Sequence, residues 1–138
     1  MTRINIIDVR ELSDQHLVAE WNEISHIPAA LKRSINAKKP NIRIPEKYKL
    51  GAGHVMFFYN KGKYLQKRHE ELRAECLRRG IKADPDRHAI REEQFPPEYW
   101  NDWTPDDKAY EIIRERIKER IEQKPDWYRW TNGKSKDN

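Results

Sequence analysis

Apolar residues recur at helical spacing in three stretches of this chain, and the alternate-residue pattern of a half-buried strand is scarce. The first stretch opens at Ser13 or Asp14, either of which suits a helix N-cap. It lines up Leu17, Trp21, Ile24, Leu31 and Ile35 on one stripe. Pro28 falls inside it and removes the bond to the Ile24 carbonyl, so the expectation is one helix with a kink. The second stretch runs from about Phe58 to Arg79, with Leu65, Leu72 and Cys76 inward and Gly80 as its stop. The third begins at Thr104 and Pro105, a cap followed by a proline in the first turn. It points Tyr110, Ile113, Ile117 and Ile121 inward and ends before Pro125. Residues 38–49 and 83–103 are proline-bearing connections, long enough to be functional. The pattern predicts an all-α protein. It is read as a single domain over residues 1–138, with three main helices, long loops and a frayed end at 134–138.

Composition narrows the picture. With 37% charged and 36% hydrophobic residues, a core must come from well-placed aromatics and a few aliphatic stripes. Five Trp and six Tyr in 138 residues suggest that some aromatics serve a surface. A net charge of +5 and a pI near 9.3 favour a polyanionic partner, most simply nucleic acid. Cys76 is the only cysteine, so no internal disulfide forms, a reducing compartment is expected, and its helical spacing reads as packing. No apolar run approaches the roughly 18 residues of a membrane span, and no signal-peptide core opens the chain. The expected location is the cytoplasm of a bacterial or virus-infected cell, or the nucleus of a eukaryotic host. His16 and Glu20 stand at i,i+4, but spacing places no third ligand, so neither metal nor cofactor is expected. His69-Glu70-Glu71 reads as exposed charge.

The candidate chemistry lies at the start. If Met1 is trimmed, Thr2 presents an α-amine whose ordinary pKa is about 7.7–8, against about 10.4 for lysine. Such an amine is deprotonated at neutral pH far more often than lysine. It can attack a sugar C1′ or an aldehyde when a carboxylate beside it moves protons. On the first helix Glu23 is flanked by the small residues Ala19 and Ala30 and by the imidazoles His16 and His26. Small neighbours let another segment approach, and the N-terminal segment is a candidate. A solvated face of mixed charge and a ragged tail are the plainer account of the same residues, and spacing alone favours it.

A second surface combines Arg116 and Arg120, one turn apart, with Lys124 and the run Trp127-Tyr128-Arg129-Trp130. Guanidiniums suit phosphates and interleaved aromatics suit bases. The alternative is an amphipathic helix whose arginines pair with Glu111, Glu115 and Glu119, followed by a tail anchored by its aromatics.

Together these residues carry a resemblance. The chain resembles the bacteriophage-type endonuclease V family, pyrimidine-dimer DNA glycosylases with apurinic/apyrimidinic lyase activity. Five blocks carry it in order. They are Met1-Thr2-Arg3-Ile4-Asn5; Asp14-Gln15-His16-Leu17 with Ala19, Glu20 and Glu23; Gly53-His54-Val55 with Phe57-Phe58-Tyr59; Ala74 to Gly80; and Gln123-Lys124-Pro125 with Trp127-Tyr128. The resemblance implies a helical fold whose N-terminal segment passes between helices. It implies damaged duplex DNA as partner and no cofactor, metal or obligatory protein partner. By it, the Thr2 amine forms an imine at C1′, and Glu23 assists that step and the β-elimination that cuts the strand. It also implies DNA contacts from Arg3, Gln15, His16, Arg33, Arg116 and Arg120. We add Trp127, Tyr128 and Trp130 as lining the lesion or strand. Asn22 and His26 are also read as DNA-binding; at both, the best-studied relatives carry arginines, so this chain has one amide and one titratable ring there. That change puts lesion preference in question and leaves the catalytic pair in place. Two rival readings stand beside this one: the same chemistry on another damaged base or on abasic sites, and a DNA-binding module without catalysis.

Overall fold

The N-terminal six residues cannot bury their backbone without partners, and what supplies those partners organises the molecule. The structure is a computed structural model that describes residues 2–37 and 42–131. Among these residues it is all helical, with no strand. The helices are α1 (Asp14–Glu23), α2 (His26–Asn36), the single turn α3 (His54–Phe57), α4 (Gly62–Arg78) and α5 (Asp107–Gln123). Short 3-10 turns at Val9–Glu11, Glu92–Gln94 and Pro97–Tyr99 order the connections. The expected fraying at 134–138 lies outside the described residues.

The first apolar stretch is two helices, which corrects the expectation of one kinked helix. The helix is interrupted by a turn at Ile24 and Ser25, and Pro28 sits in the first turn of α2. In a first turn a missing N–H would have no intrahelical partner anyway, so restarting the helix costs less than kinking it. Leu17, Ile24 and Leu31 are fully buried as expected, whereas Ile35 is 44% exposed. The second helix starts at Gly62, not at Phe58. Phe57 and Phe58 are buried around the separate turn α3, and a Cβ on Gly62 would fall 2.6 Å from Trp100. Its stop is as expected. Gly80 takes φ +80°, Ile81 N–H reaches the Cys76 carbonyl and Gly80 N–H the Leu77 carbonyl, closing the helix end. The third helix is capped by Asp106, whose carboxylate accepts from Ala109 N–H, two residues later than the sequence suggested. Ile113 and Ile117 are buried, and Tyr110 and Ile121 are half-buried.

One aromatic group fills the space beside the N-terminal segment. Trp103 packs on Phe57, Phe58, Tyr64 and Tyr48, with ring centroids 5.0–6.0 Å apart. Much of the aromatic content is therefore core. Cys76 is buried, and burial lifts its thiol to about 11, so it packs as the sequence suggested. His69 is a correction: it is 5% exposed and bonds the Arg87 carbonyl, while Glu70 and Glu71 are exposed. No helix among the described residues is long and apolar enough to cross a membrane.

Candidate active site

Three side chains from distant parts of the chain pin the N-terminal segment between helices. The Ile4 N–H donates to His54 Nε2 (2.9 Å) and the Tyr48 hydroxyl donates to the Ile4 carbonyl (3.0 Å). Glu20 accepts from the Asn5 N–H and from its side-chain amide. Because Ile4 N–H can only donate and the Lys49 carbonyl can only accept, His54 must carry its proton on Nδ1, which bonds Lys49. Burial also holds His54 below its ordinary pKa, so the neutral ring is the stable form. Arg68 completes the frame. Its Nε and Nη2 donate to Glu20 and its Nη1 donates to the Ile7 carbonyl. The Glu20–Arg68 pair therefore grips both sides of Ile6, whose φ of +51° is a strained value for a β-branched residue. Such strain persists where neighbours over-determine it, and here they turn the chain so that residues 2–5 run back to α1.

Thr2 and Arg3 emerge into a cleft of about 310 Å³ lined also by Leu50, Gly51, His54 and Arg116. The Thr2 hydroxyl lies 2.9 Å from His26 Nδ1. Burial first, then the charges of Arg120 and Arg116, push the Arg3 guanidinium below its ordinary pKa, while Tyr48 and Glu23 pull it back. Arg3, Arg116, Arg120 and Glu23 thus share one electrostatic neighbourhood. The Nε atoms of Arg3 and Arg120 are buried and have no acceptor among the described residues. Buried donors without acceptors favour any anion that can enter. Arg116 makes only a long contact, 3.4 Å, with Glu119, so helix pairing leaves most of this charge uncancelled.

Glu23 lies at the end of α1 and lines a neighbouring groove of about 540 Å³ with Ala19, Asn22 and Trp127. It is half-buried and makes no hydrogen bond or ion pair with any described residue. Trp127 is 56% exposed at the opposite wall. The groove is closed by residues 127–131, which form a strap across the start of α1. Gln15 donates to the Trp127 carbonyl and accepts from Arg129 N–H. Asp14 accepts from the Thr131 N–H and hydroxyl and from Arg79. Trp130 donates its indole N–H to the Glu11 carbonyl, and Tyr128 stacks on His16 at 4.8 Å.

These contacts place several of the residues expected to meet DNA. Gln15 and His16 on α1 hold the strap at Trp127, Tyr128 and Arg129, and Trp130 is held by the turn before α1. His16 is 6% exposed, and burial followed by the nearby Arg3 charge lowers its pKa to about 4, so its neutral ring is the stable form. Glu20, one turn further on, is engaged by Arg68 and Asn5. Arg33 is exposed near the end of α2 and lines neither cleft. Thr2, Arg3 and Arg116 share the cleft, while Glu23, Asn22 and Trp127 share the groove beside it. Tyr48, His54 and Arg68 were missed as positioning residues. Arg68 left a signal in its place on the inward stripe Leu65, Arg68, Leu72, where a charge requires a buried partner.

On fold and site, this is an all-α protein with a cationic cleft suited to a phosphate-bearing partner. The chain belongs to the pyrimidine dimer DNA glycosylase family, whose model matches residues 1–89. That span holds the pinned segment, α1 to α4 and Glu23, whereas Arg116 and Arg120 on α5 lie beyond it. Membership identifies a DNA-repair glycosylase acting on damaged DNA.

Proposed function

We propose that this protein excises cyclobutane pyrimidine dimers from duplex DNA and then cuts the strand, as a monomer needing no cofactor, with Thr2 as nucleophile and Glu23 as its proton-transfer partner. The observation that carries the reading is the delivery of Thr2 into a cleft shared with Arg3 and Arg116, its hydroxyl on His26, three residues after Glu23. Removal of Met1 frees the Thr2 nitrogen, and the cations around it disfavour its protonated form. The amine lone pair attacks C1′, and the glycosidic C–N bond breaks with its electrons leaving on the pyrimidine. The new secondary ammonium loses a proton, and its lone pair then opens the C1′–O4′ bond, whose electrons leave on O4′ as it takes up a proton, giving the iminium. The iminium acidifies C2′–H; a base takes that proton, and the 3′ phosphate departs with the C3′–O electrons. Glu23, with no hydrogen bond or ion pair to any described residue, suits both proton transfers. Phosphates flanking the lesion would meet Arg3, Arg116 and Arg120, and Trp127 offers a face for stacking. A duplex buries C1′, so a nucleotide must be extruded first.

The test uses an oligonucleotide duplex with one thymine dimer, with borohydride added during cutting. A covalent adduct mapping to Thr2 is expected with protein whose mass shows Met1 removed, and none with protein that retains it. Cutting by the Met1-retaining form, or no adduct with the trimmed form, overturns the mechanism. Parallel duplexes with an abasic site or an oxidised pyrimidine separate dimer excision from the same chemistry on another lesion.

A further inference from the structure

We propose that His26 is a positioning residue that aims the Thr2 nitrogen, by holding the Thr2 side chain through Nδ1. This rests on the amine mechanism above. The backbone is fixed from Ile4 onward by His54, Tyr48 and Glu20, so the direction of the terminal nitrogen is left to rotation about the backbone bonds of Arg3 and Thr2. A chain end with only one neighbour normally frays. Here that rotation carries the nitrogen and the side chain together, and the side chain is tethered at 2.9 Å to His26. Threonine suits the task because its β-branch stiffens χ1, so fixing Oγ1 fixes the amine direction as well. His26 suits it because the break at Ile24 and Ser25 makes it the first residue of α2, a rigid mount independent of α1. Its ring is exposed and Nε2 bonds no described residue, so the two nitrogens have separable roles.

That separation makes the experiment decisive. In His26→Asn the amide branches where Nδ1 stands and can keep the tether without Nε2, whereas in His26→Gln the amide reaches the Nε2 position and leaves the tether empty. Thr2→Val removes the hydroxyl and keeps the branched shape. We expect His26→Gln and Thr2→Val each to slow single-turnover cutting of dimer-bearing duplex roughly three- to tenfold, the worth of one hydrogen bond. Their double variant should be no slower than either alone, since both remove one contact. His26→Asn should recover most of the lost rate, and dissociation constants for the duplex should stay within about twofold throughout. The opposite ranking, with His26→Asn the slower variant and weaker, less salt-sensitive binding, would show a phosphate ligand and overturn the proposal. Multiplicative losses in the double variant would also overturn it. If unmodified trimmed protein gives no borohydride adduct, the amine mechanism itself fails; an adduct that forms equally fast in every variant sinks only the positioning role.

Discussion

Glu20 and Glu23 stand one turn apart on α1, yet Glu20 is 1% exposed and bonded to Arg68 and Asn5, while Glu23 is half-buried and unbonded among the described residues. The difference follows from which face each occupies. Glu20 points into the core, where an unpaired carboxylate would be prohibitive, so it must carry a guanidinium and hydrogen-bond donors with it. A carboxylate buried and committed in that way is out of a substrate's reach. It works through the fold, by holding the segment that ends in Thr2. Glu23 has neighbours that shape its surroundings without neutralising it, which is what proton transfer requires. The first carboxylate builds the site, and the second is left available to act in it.

The largest expected effects separate the two. Glu20→Ala would leave the Arg68 guanidinium buried without its partner, and we expect a loss of about 3–5 kcal/mol in denaturant unfolding. Cutting should fall with it even under conditions where the protein stays folded, because Asn5 and Ile7 lose their anchors. Glu23→Gln should change stability by less than about 0.5 kcal/mol, as for other surface changes. Strand cutting should nevertheless fall by roughly 10²–10⁴, with binding of dimer-bearing duplex retained. Equal stability losses in the two variants, or equal loss of binding and cutting in Glu23→Gln, would erase the contrast.

That contrast was only half legible in the sequence. Glu23 was read correctly as lying beside the apolar stripe, because its position depends on helix period alone. The stripe itself, Leu17 with Ile24 and Leu31, was legible for the same reason. The structural role of Glu20 has no local signal, since its partner Arg68 lies 48 residues away and its spacing from His16 says nothing of that pair. The break at Ser25 was read as a kink because a proline inside a periodic run looks alike whether it bends a helix or starts one. The aromatic run Phe57-Phe58-Tyr59 merged with the next helix because all three are apolar, although they pack around a separate turn. The strap was the least legible element. Its bonds to Gln15, Asp14 and Glu11 join residues more than a hundred positions apart, so the sequence offers a tail anchored by its aromatics as one alternative without showing what anchors it.

The same division holds for the imidazoles, with a smaller effect. His16 is buried and neutral with a pKa of about 4, against 6.5 for an ordinary histidine. Above pH 6.5 it is neutral in both folded and unfolded chains, and stability is at its full value. Between 6.5 and 4 the unfolded chain takes up a proton that the folded chain refuses, so stability falls as pH falls. His54 and His69 are shifted in the same direction by burial and add to the slope. Urea midpoints measured from pH 7 to 4 should decline, and His16→Asn should remove on the order of 2–3 kcal/mol of that decline. An unchanged slope in the variant would mean that His16 is charged in the native protein and free to meet a phosphate after all.

Gln15 gives the smallest effect. If its amide serves the strap, as both of its hydrogen bonds indicate, Gln15→Ala should cost about 1 kcal/mol in stability. The loss should appear first as faster amide exchange at Arg129, whose N–H bonds the Gln15 carbonyl oxygen at 3.0 Å. A DNA ligand would behave otherwise. Its loss would weaken duplex binding and leave Arg129 protected. With the strap intact around Asp14 and Trp130, the salt dependence of binding should be unaltered in Gln15→Ala, whereas Arg120→Ala should flatten its slope by about one counterion. A flattened slope in Gln15→Ala would return this residue to the DNA surface and assign the strap to Asp14 and Trp130 alone.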